Sequence, residues 1–384
     1  MDKLLGVEFL HTQGFFGRGV KVGVMEGGAA SPTRSGHVYH SKVTLKSFQI
    51  PEAYHAQHVI GTIAAPAKMV HERLGVAPLS SVSFLNIPKD DVIQCRIEGK
   101  DYFYKGQPLD EYVEPVFTIT DGLKTITEFK PYTSESKPEG SLYDSDLEIV
   151  GGHYLDASDE KLKECFEEAM REGLQIINLS TGLSYGPKSL QALKAFVAQG
   201  GVIVKAAGNS GHKLQAPLNP TKIQGEELNA FWGQAQLASS DVGFFKMIKE
   251  NPELLESTLL VGNLKNESEL NKSSCQAGEF AKCYIAAWGT DVLSTASGKG
   301  QNCGLGKYSG TSMATPMVTG IVAVLKEAWP EIETKKLIAI LLQTATPIGD
   351  PETFGMGRLN AEAAFERARE SFGPPAKAPP LQRQ

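Results

Sequence analysis

No apolar run in this chain approaches the ~20 residues that cross a bilayer as a helix. The longest, Gly201–Ala207 and Met317–Leu325, fall far short of it, so no membrane span is expected. Cysteine is scarce, with five residues (95, 165, 275, 283 and 303) in a chain of 384. They form no CxxC pair and no metal-ligand spacing, which argues against a zinc site. Cys275, Cys283 and Cys303 lie close enough in sequence for one bridge in an oxidising compartment. Reduced, packed thiols are the expected state, because no secretion signal accompanies them. An excess of positive charge is also missing: 38 Lys and Arg stand against 44 Asp and Glu, a net of −6. Nucleic acid is therefore not the expected partner. The first residues, Met1-Asp2-Lys3-Leu4-Leu5-Gly6, lack the charged start and sustained apolar segment of a signal peptide. The expected location is the cytoplasm, or outside the cell by a signal-independent route. There is no internal repeat.

What is present is ordinary globular composition, 41% hydrophobic and 21% charged, in a chain long enough to bury a large core. Val20–Met25 alternates and is β-branched, so it reads as a strand. Asp159–Glu172 carries Leu162, Cys165, Phe166, Ala169 and Met170 on one helical face, and Gly173 ends it. Leu174–Leu179 is a short apolar strand. Ser189–Gln199 repeats the helical pattern with Leu190, Leu193, Phe196 and Val197, and Gly200-Gly201 precedes the buried strand Val202-Ile203-Val204. Strand, helix, strand, helix, strand in this order predicts parallel pairing with right-handed crossovers. The expected class is α/β, a doubly wound, mostly parallel sheet with helices on both faces.

Two stretches interrupt this rhythm. Residues 86–150 are rich in Tyr, Phe, Thr and Val between turn residues, and read as a few strands inserted in the α/β frame. They hold 14 Asp and Glu against 7 Lys and Arg, a net of −7 that accounts for the acidity of the whole chain. Residues 212–256 read as a second insertion, irregular or partly helical. After about Glu370 a Pro-rich tail, residues 371–384, is expected to be flexible.

Three segments place reactive side chains at the ends of predicted elements. Val24-Met25-Glu26-Gly27-Gly28 puts a carboxylate at the C-terminal end of a buried strand, where open α/β sheets hold their sites. His55–Ala65 reads as a helix that opens with a histidine. Ser309-Gly310-Thr311-Ser312-Met313-Ala314-Thr315-Pro316 leads into an apolar helix. Proline is tolerated in a helix's first turn, which places Ser312 at the helix start with its N–H and the helix dipole available to an oxyanion. Taken singly, each reads more simply as a cap, a surface histidine or a turn carboxylate.

Together these segments resemble the subtilisin-like serine proteases. The family's GTSMA-x-P motif is matched by Gly310-Thr311-Ser312-Met313-Ala314-Thr315-Pro316. Its HGTHVAGTIA motif is matched by His55–Ala64, with Ala56 and Gln57 in place of Gly-Thr and Ile60 in place of Ala. Ala206-Ala207-Gly208-Asn209 matches AAGN, and Ser180-Thr181-Gly182 stands where the family has SLG. Residues 6–22 resemble the start of the catalytic domain and Gly355–Ala364 its end. The resemblance covers residues 6–366 apart from the insertions, and implies one peptidase domain over residues 1–370.

The resemblance implies an acid–His–Ser triad in the chain order expected for this family, with Glu26, His55 and Ser312 catalytic and the Asn209 side chain in the oxyanion hole. It also implies that an extended peptide pairs with Ser180, Thr181 and Gly182. Ala206, Ala207 and Gly208 would then wall a roomy pocket for a large apolar side chain. The departure lies in the acid: the family has V-x-D-[ST]-G, whereas Met25-Glu26-Gly27-Gly28 carries a side chain one methylene longer. The expected function is a serine endopeptidase. The alternatives are a catalytically impaired, subtilase-like binding protein that uses its groove or the acidic insertion, and an esterase built on the same triad. His58, three residues after His55, is expected to be structural, and His37 and His40 solvated. Tyr102, Tyr104 and Tyr112 are expected to form the small core of the acidic insertion. No cofactor is required. Many members of the family bind calcium, but no dense Asp/Asn loop names its ligands here. Such enzymes commonly carry a propeptide ahead of the catalytic domain; here Met1 favours folding without a long one. The expected partner is a polypeptide substrate, and the oligomeric state is open.

Overall fold

The computed structural model describes residues 5–27, 44–45, 54–65, 75–87, 92–97, 100–105, 113–120, 123–131, 147–149, 159–183, 185–214, 238–296 and 304–377. The chain divides into two compact units, Pro88–Ser158 and the remainder, Met1–Ile87 with Asp159–Gln384.

The larger unit begins with α1 (Val7–Thr12), β1 (Lys21–Gly27), β2 (Thr44–Leu45), α2 (Tyr54–Ala64) and β3 (Ser81–Ile87). In the smaller unit, β4 (Val92–Ile97), β5 (Lys100–Lys105) and β8 (Leu147–Ile149) form one antiparallel sheet, and β6 (Val113–Thr120) pairs with β7 (Leu123–Pro131). The larger unit resumes with α3 (Asp159–Glu172), β9 (Ile176–Leu179), α4 (Pro187–Ala198), β10 (Val202–Ala206), α5 (Ala238–Glu250) and α6 (Pro252–Glu256). It continues with β11 (Thr258–Leu264), β12 (Tyr284–Trp288), β13 (Val292–Ala296) and β14 (Gly304–Tyr308). It closes with α7 (Thr311–Ala328), α8 (Thr334–Gln343), α9 (Pro351–Phe354) and α10 (Ala361–Phe372).

Seven strands form one sheet in the order β12-β11-β10-β9-β1-β3-β2, and its pairings are parallel. Alternation along the strands sorts their side chains between two layers. Val22, Val24, Val82, Phe84, Val202, Val204, Leu259 and Val261 join a core with α2, α7, α8 and α10. Ile177, Leu179, Ile203 and Leu260 are equally buried but stand outside that cluster. The doubly wound α/β class expected from the sequence is the one observed. From β1 the order runs first to the edge strand β2 and back to β3 beside β1, and then to β9 on the opposite side of β1. Open sheets carry their crevice at such a reversal, beyond the carboxyl ends of the strands.

Helix α7 is apolar or small on every side and buried along nearly its whole length, as an all-round apolar pattern demands. It packs against β9, β10, β11, β12 and α2. Gly61 permits the approach of α2 to β13, since a Cβ there would lie 1.9 Å from Thr295 Oγ1.

Two expectations need correction. Pro316 does not sit in the first turn of its helix: α7 starts at Thr311, so the proline is its sixth residue. The missing N–H is offset from a neighbouring strand, as described below. The chain after residue 370 is also not free from that point. α10 runs to Phe372, Trp329 Nε1 donates to the Gly373 carbonyl (3.1 Å), and Ala376 N–H donates to the Ala328 carbonyl (2.8 Å). Proline richness begins within this segment, but those two bonds tie it to the end of α7. Residues 378–384 lie outside the described residues, as do 215–237 of the second expected insertion, whose remainder includes α5 and α6.

Candidate active site

Three adjacent strands deliver groups at their carboxyl ends. Glu26 is the penultimate residue of β1 and is buried, 4% exposed. Ser180 follows β9 directly, and Ala206 ends β10 and leads into Ala207-Gly208-Asn209. Two helices that pack together supply the rest, His55 as the second residue of α2 and Ser312 as the second of α7.

The Glu26 carboxylate faces the imidazole: Oε2 lies 3.1 Å from His55 Nδ1. The acid side chain is 6% exposed and the histidine 42%, so the ring has a dry face on the carboxylate and a wet face outward. At this distance the carboxylate stands on the Nδ1 side of the ring, and the Nε2 side is turned away from it. The extra methylene of Glu, relative to Asp, is accommodated within this contact.

Ser312 is nearly buried, and its Oγ donates to the Ser180 carbonyl at 2.8 Å. Around it the first N–H groups of α7 are mostly spoken for. Gly310 N–H donates to the Gly289 carbonyl (2.8 Å), Thr311 N–H to Asn209 Oδ1 (2.9 Å), and Met313 and Ala314 N–H to the Gly310 carbonyl (3.0 and 3.3 Å). Ser312's own N–H has no partner among the described residues, the condition in which a helix N-terminus receives an anion.

The Asn209 amide is oriented by that same turn. Its Oδ1 accepts from Thr311 N–H and from Thr311 Oγ1 (3.1 Å), while Gly208 N–H donates to Thr311 Oγ1 at 3.2 Å. With the oxygen so engaged, the Nδ2 edge is the one left to donate outward. Gly310, beside the Asn209 amide, adopts φ 155°, a conformation that L side chains rarely take. Ser180, Ala206 and Ala207 are buried, whereas Thr181, Gly182 and Gly208 are half-buried.

Other candidates fall away from this centre. His58 is fully buried, its Nε2 at 2.9 Å from the Val292 carbonyl and its ring stacked on Tyr308 at 4.5 Å. It ties α2 to the β13–β14 hairpin and has the structural role expected of it. Cys165, Cys275 and Cys283 are buried free thiols, so Cys275 and Cys283 are not bridged to each other. Cys303, His37, His40 and Tyr112 lie outside the described residues, as do the side chains of Cys95, Tyr102 and Tyr104. Among the described residues no group of three or more His, Cys, Asp or Glu could hold a metal ion.

The sequence assigns no role to Thr311, Asn178 or Thr319. Thr311 fixes the Asn209 amide, and Asn178 and Thr319 form a buried chain with Ser180: Thr319 Oγ1 donates to Asn178 Oδ1 (3.0 Å), and Asn178 Nδ2 to Ser180 Oγ (2.9 Å). The available signal was Asn178 itself, an amide inside the apolar strand Ile176-Ile177-Asn178-Leu179.

Comparison with known proteins agrees with this architecture. The sequence matches the model of the subtilase family, Peptidase S8, across residues 17–357. The chain belongs to the subtilase family. Among curated relatives of this subtilase, an extracellular serine protease of Serratia marcescens is 36% identical over 135 residues, covering 30% of this chain and 13% of that protein. Alkaline elastase YaB of Bacillus sp. (strain YaB) is 31% identical over 198 residues, 51% of this chain and 41% of that protein. The chain thus spans well under half the length of either. Among solved structures, the prenylagaramide maturation protease PagA superposes with a TM-score of 0.56 at 18% identity, over 94% of this subtilase and 97% of that chain, a likeness of fold. No described helix is long and apolar enough to cross a membrane.

Proposed function

We propose that this subtilase is a serine endopeptidase that cleaves polypeptides through an acyl-enzyme on Ser312, with Glu26 as the acid member of the triad. The observation that carries the reading is the Glu26 carboxylate, buried and 3.1 Å from His55 Nδ1, at the same strand ends as a serine that opens a buried helix. A turn about χ1 takes Ser312 Oγ off the Ser180 carbonyl toward His55 Nε2, giving up one hydrogen bond of about 0.5–1.5 kcal/mol. His55 then accepts the hydroxyl proton as Oγ attacks the peptide carbonyl. Glu26 stabilises the imidazolium without taking the proton. The Ser312 N–H and Asn209 Nδ2 bind the oxyanion, His55 protonates the departing amine, and water repeats the sequence on the ester.

The substrate lies extended along Ser180, Thr181 and Gly182, with a large apolar side chain over Ala206, Ala207 and Gly208. No cofactor takes part in these steps, and no calcium ligands are assigned.

A fluorophosphonate probe tests the reading. Labelling of the purified chain, absent in Ser312→Ala, is the expected result. A folded wild type left unlabelled, with or without calcium, would sink it and return the groove to a binding role. A panel of ester and peptide substrates separates endopeptidase from esterase.

A further inference from the structure

An α-helix closes its ladder by donating each N–H to the carbonyl four residues back. Proline has no N–H, so Pro316 leaves one carbonyl of α7 without its helical donor, and four residues back from Pro316 is Ser312. The carbonyl orphaned by the proline therefore belongs to the residue proposed as nucleophile. It is not left unsatisfied: Ser180 Oγ donates to it at 2.9 Å from the end of β9. Ser180 is 3% exposed, and water does not compete there.

That hydroxyl is the last link of the chain that begins at Thr319. Thr319 and Ser312 stand seven residues, two turns, apart on one face of α7. Asn178 and Ser180 stand two residues apart on one side of their strand. The chain Thr319–Asn178–Ser180–Ser312 thus pins the first and third turns of α7 to the strand end. Asn178 and Thr319 are fully buried, and the one proton of Thr319 Oγ1 is shared between Asn178 Oδ1 and the Thr315 carbonyl, each 3.0 Å away.

We propose that Ser180 is a positioning residue for Ser312: its hydroxyl supplies, from the neighbouring strand, the donor that Pro316 removes from the helix, and so fixes where the nucleophile's backbone stands. The proposal rests on reading Ser312 as the nucleophile, since only then does its placement bear on a rate. Both the Oγ and the oxyanion-binding N–H of Ser312 hang on the backbone that this bond holds. A misplacement of ~1 Å in such a site costs up to roughly 100-fold in rate.

The test is a double-variant cycle of Ser180→Ala with Pro316→Ala, read by kcat and KM on a peptide p-nitroanilide and, separately, by Tm. Ser180→Ala is expected to lower kcat about 10-fold with KM within about 3-fold, and to lower Tm by a few degrees. Pro316→Ala restores an N–H that reaches the Ser312 carbonyl without Ser180. In the Ser180→Ala background it should return kcat to within about 3-fold of wild type and recover at least half of the Tm loss, while alone it changes either little. A folded double variant as slow and as labile as Ser180→Ala overturns the proposal, as does a Ser180→Ala whose whole effect lies in KM. Should Ser180→Ala not fold, recovery of folded protein by Pro316→Ala supports it, and a double variant that still fails to fold refutes it. If the wild type proves inert, the Tm cycle still decides whether Ser180 replaces the missing donor, and it is the protease reading that falls.

Discussion

Replacing Glu26 by Gln removes one charge from a buried side chain and little volume, so it isolates what the carboxylate does for His55. The two groups approach to 3.1 Å. With charge centres ~4 Å apart and an effective dielectric of ~20, a carboxylate and an imidazolium attract by about 4 kcal/mol. The His55 side chain is 42% exposed, so solvent screens a good part of that, and about 2 kcal/mol is a fair working value. This attraction exists only when the imidazole is charged, which is the transition state and the tetrahedral intermediate. The loss should therefore fall on kcat, roughly 30-fold for 2 kcal/mol, with KM nearly unchanged. Gln adds a second penalty. If its amide turns an N–H toward Nδ1, that nitrogen must be the acceptor and Nε2 carries the proton, the wrong tautomer for a base. A triad in that state has lost ~10⁴ in kcat. Glu26→Ala removes the charge without imposing the tautomer, so Gln should be slower than Ala, an order that a simple loss of packing would reverse. Glu26→Asp draws the carboxylate back by roughly one bond, 1.5 Å, and should also be slower than wild type, although Asp is the family's residue. Steady-state kinetics on a peptide p-nitroanilide, with Tm as a control for folding, measures all three. A Glu26→Gln variant with wild-type kcat would refute Glu26 as the acid member.

Three further perturbations read other parts of the site and frame. Asn209→Ala should lower kcat by ~10²–10³ with little change in KM, the range seen when the oxyanion asparagine is removed from a subtilisin; an equal loss in binding of a ground-state peptide analogue would count against the role. Gly61→Ala puts a methyl 1.9 Å from Thr295 Oγ1, so α2 must shift off β13. It should destabilise the chain by about 1–3 kcal/mol in urea titration, and an unchanged midpoint would contradict the close approach. Burial pushes the Cys165 thiol up to about 11 and the Cys283 thiol up to about 12. Unfolded thiols ionise near pH 8.5, so the stability these two contribute is whole below that pH and is lost as pH rises toward 11–12. Tm should fall over that range, and peptide-resolved mass spectrometry should find both cysteines unalkylated by iodoacetamide in the folded chain at pH 8. Rapid alkylation would overturn the burial argument.

How far the sequence was legible depends on whether a feature is carried by neighbours in the chain or by neighbours in space. The strand at Glu26, the helix Asp159–Glu172 and the buried helix after Ser312 announce themselves by periodicity and by glycine stops, and the parallel order follows from their alternation. The motif residues Glu26, His55, Asn209 and Ser312 are legible through the resemblance of their segments to the family's motifs, since singly each reads as a cap, a surface histidine or a turn. What could not be read is whatever one segment does for another. Pro316 reads as a first-turn residue because, within its own helix, nothing compensates for it deeper in; the compensating hydroxyl belongs to Ser180, 132 positions before Ser312 along the chain. The segment from Gly373 reads as free because its composition is that of a linker, yet the Trp329 indole N–H and the Ala328 carbonyl at the end of α7 hold it. Thr311 reads as one of several small residues before the nucleophile, and only the fold shows its hydroxyl turning the Asn209 amide outward. In each case a local rule was broken and the donor or acceptor that repaired it came from a distant element. A proline left inside a buried helix, or an amide inside an apolar strand such as Asn178, is therefore the mark in a sequence of a bond that only the tertiary structure can make.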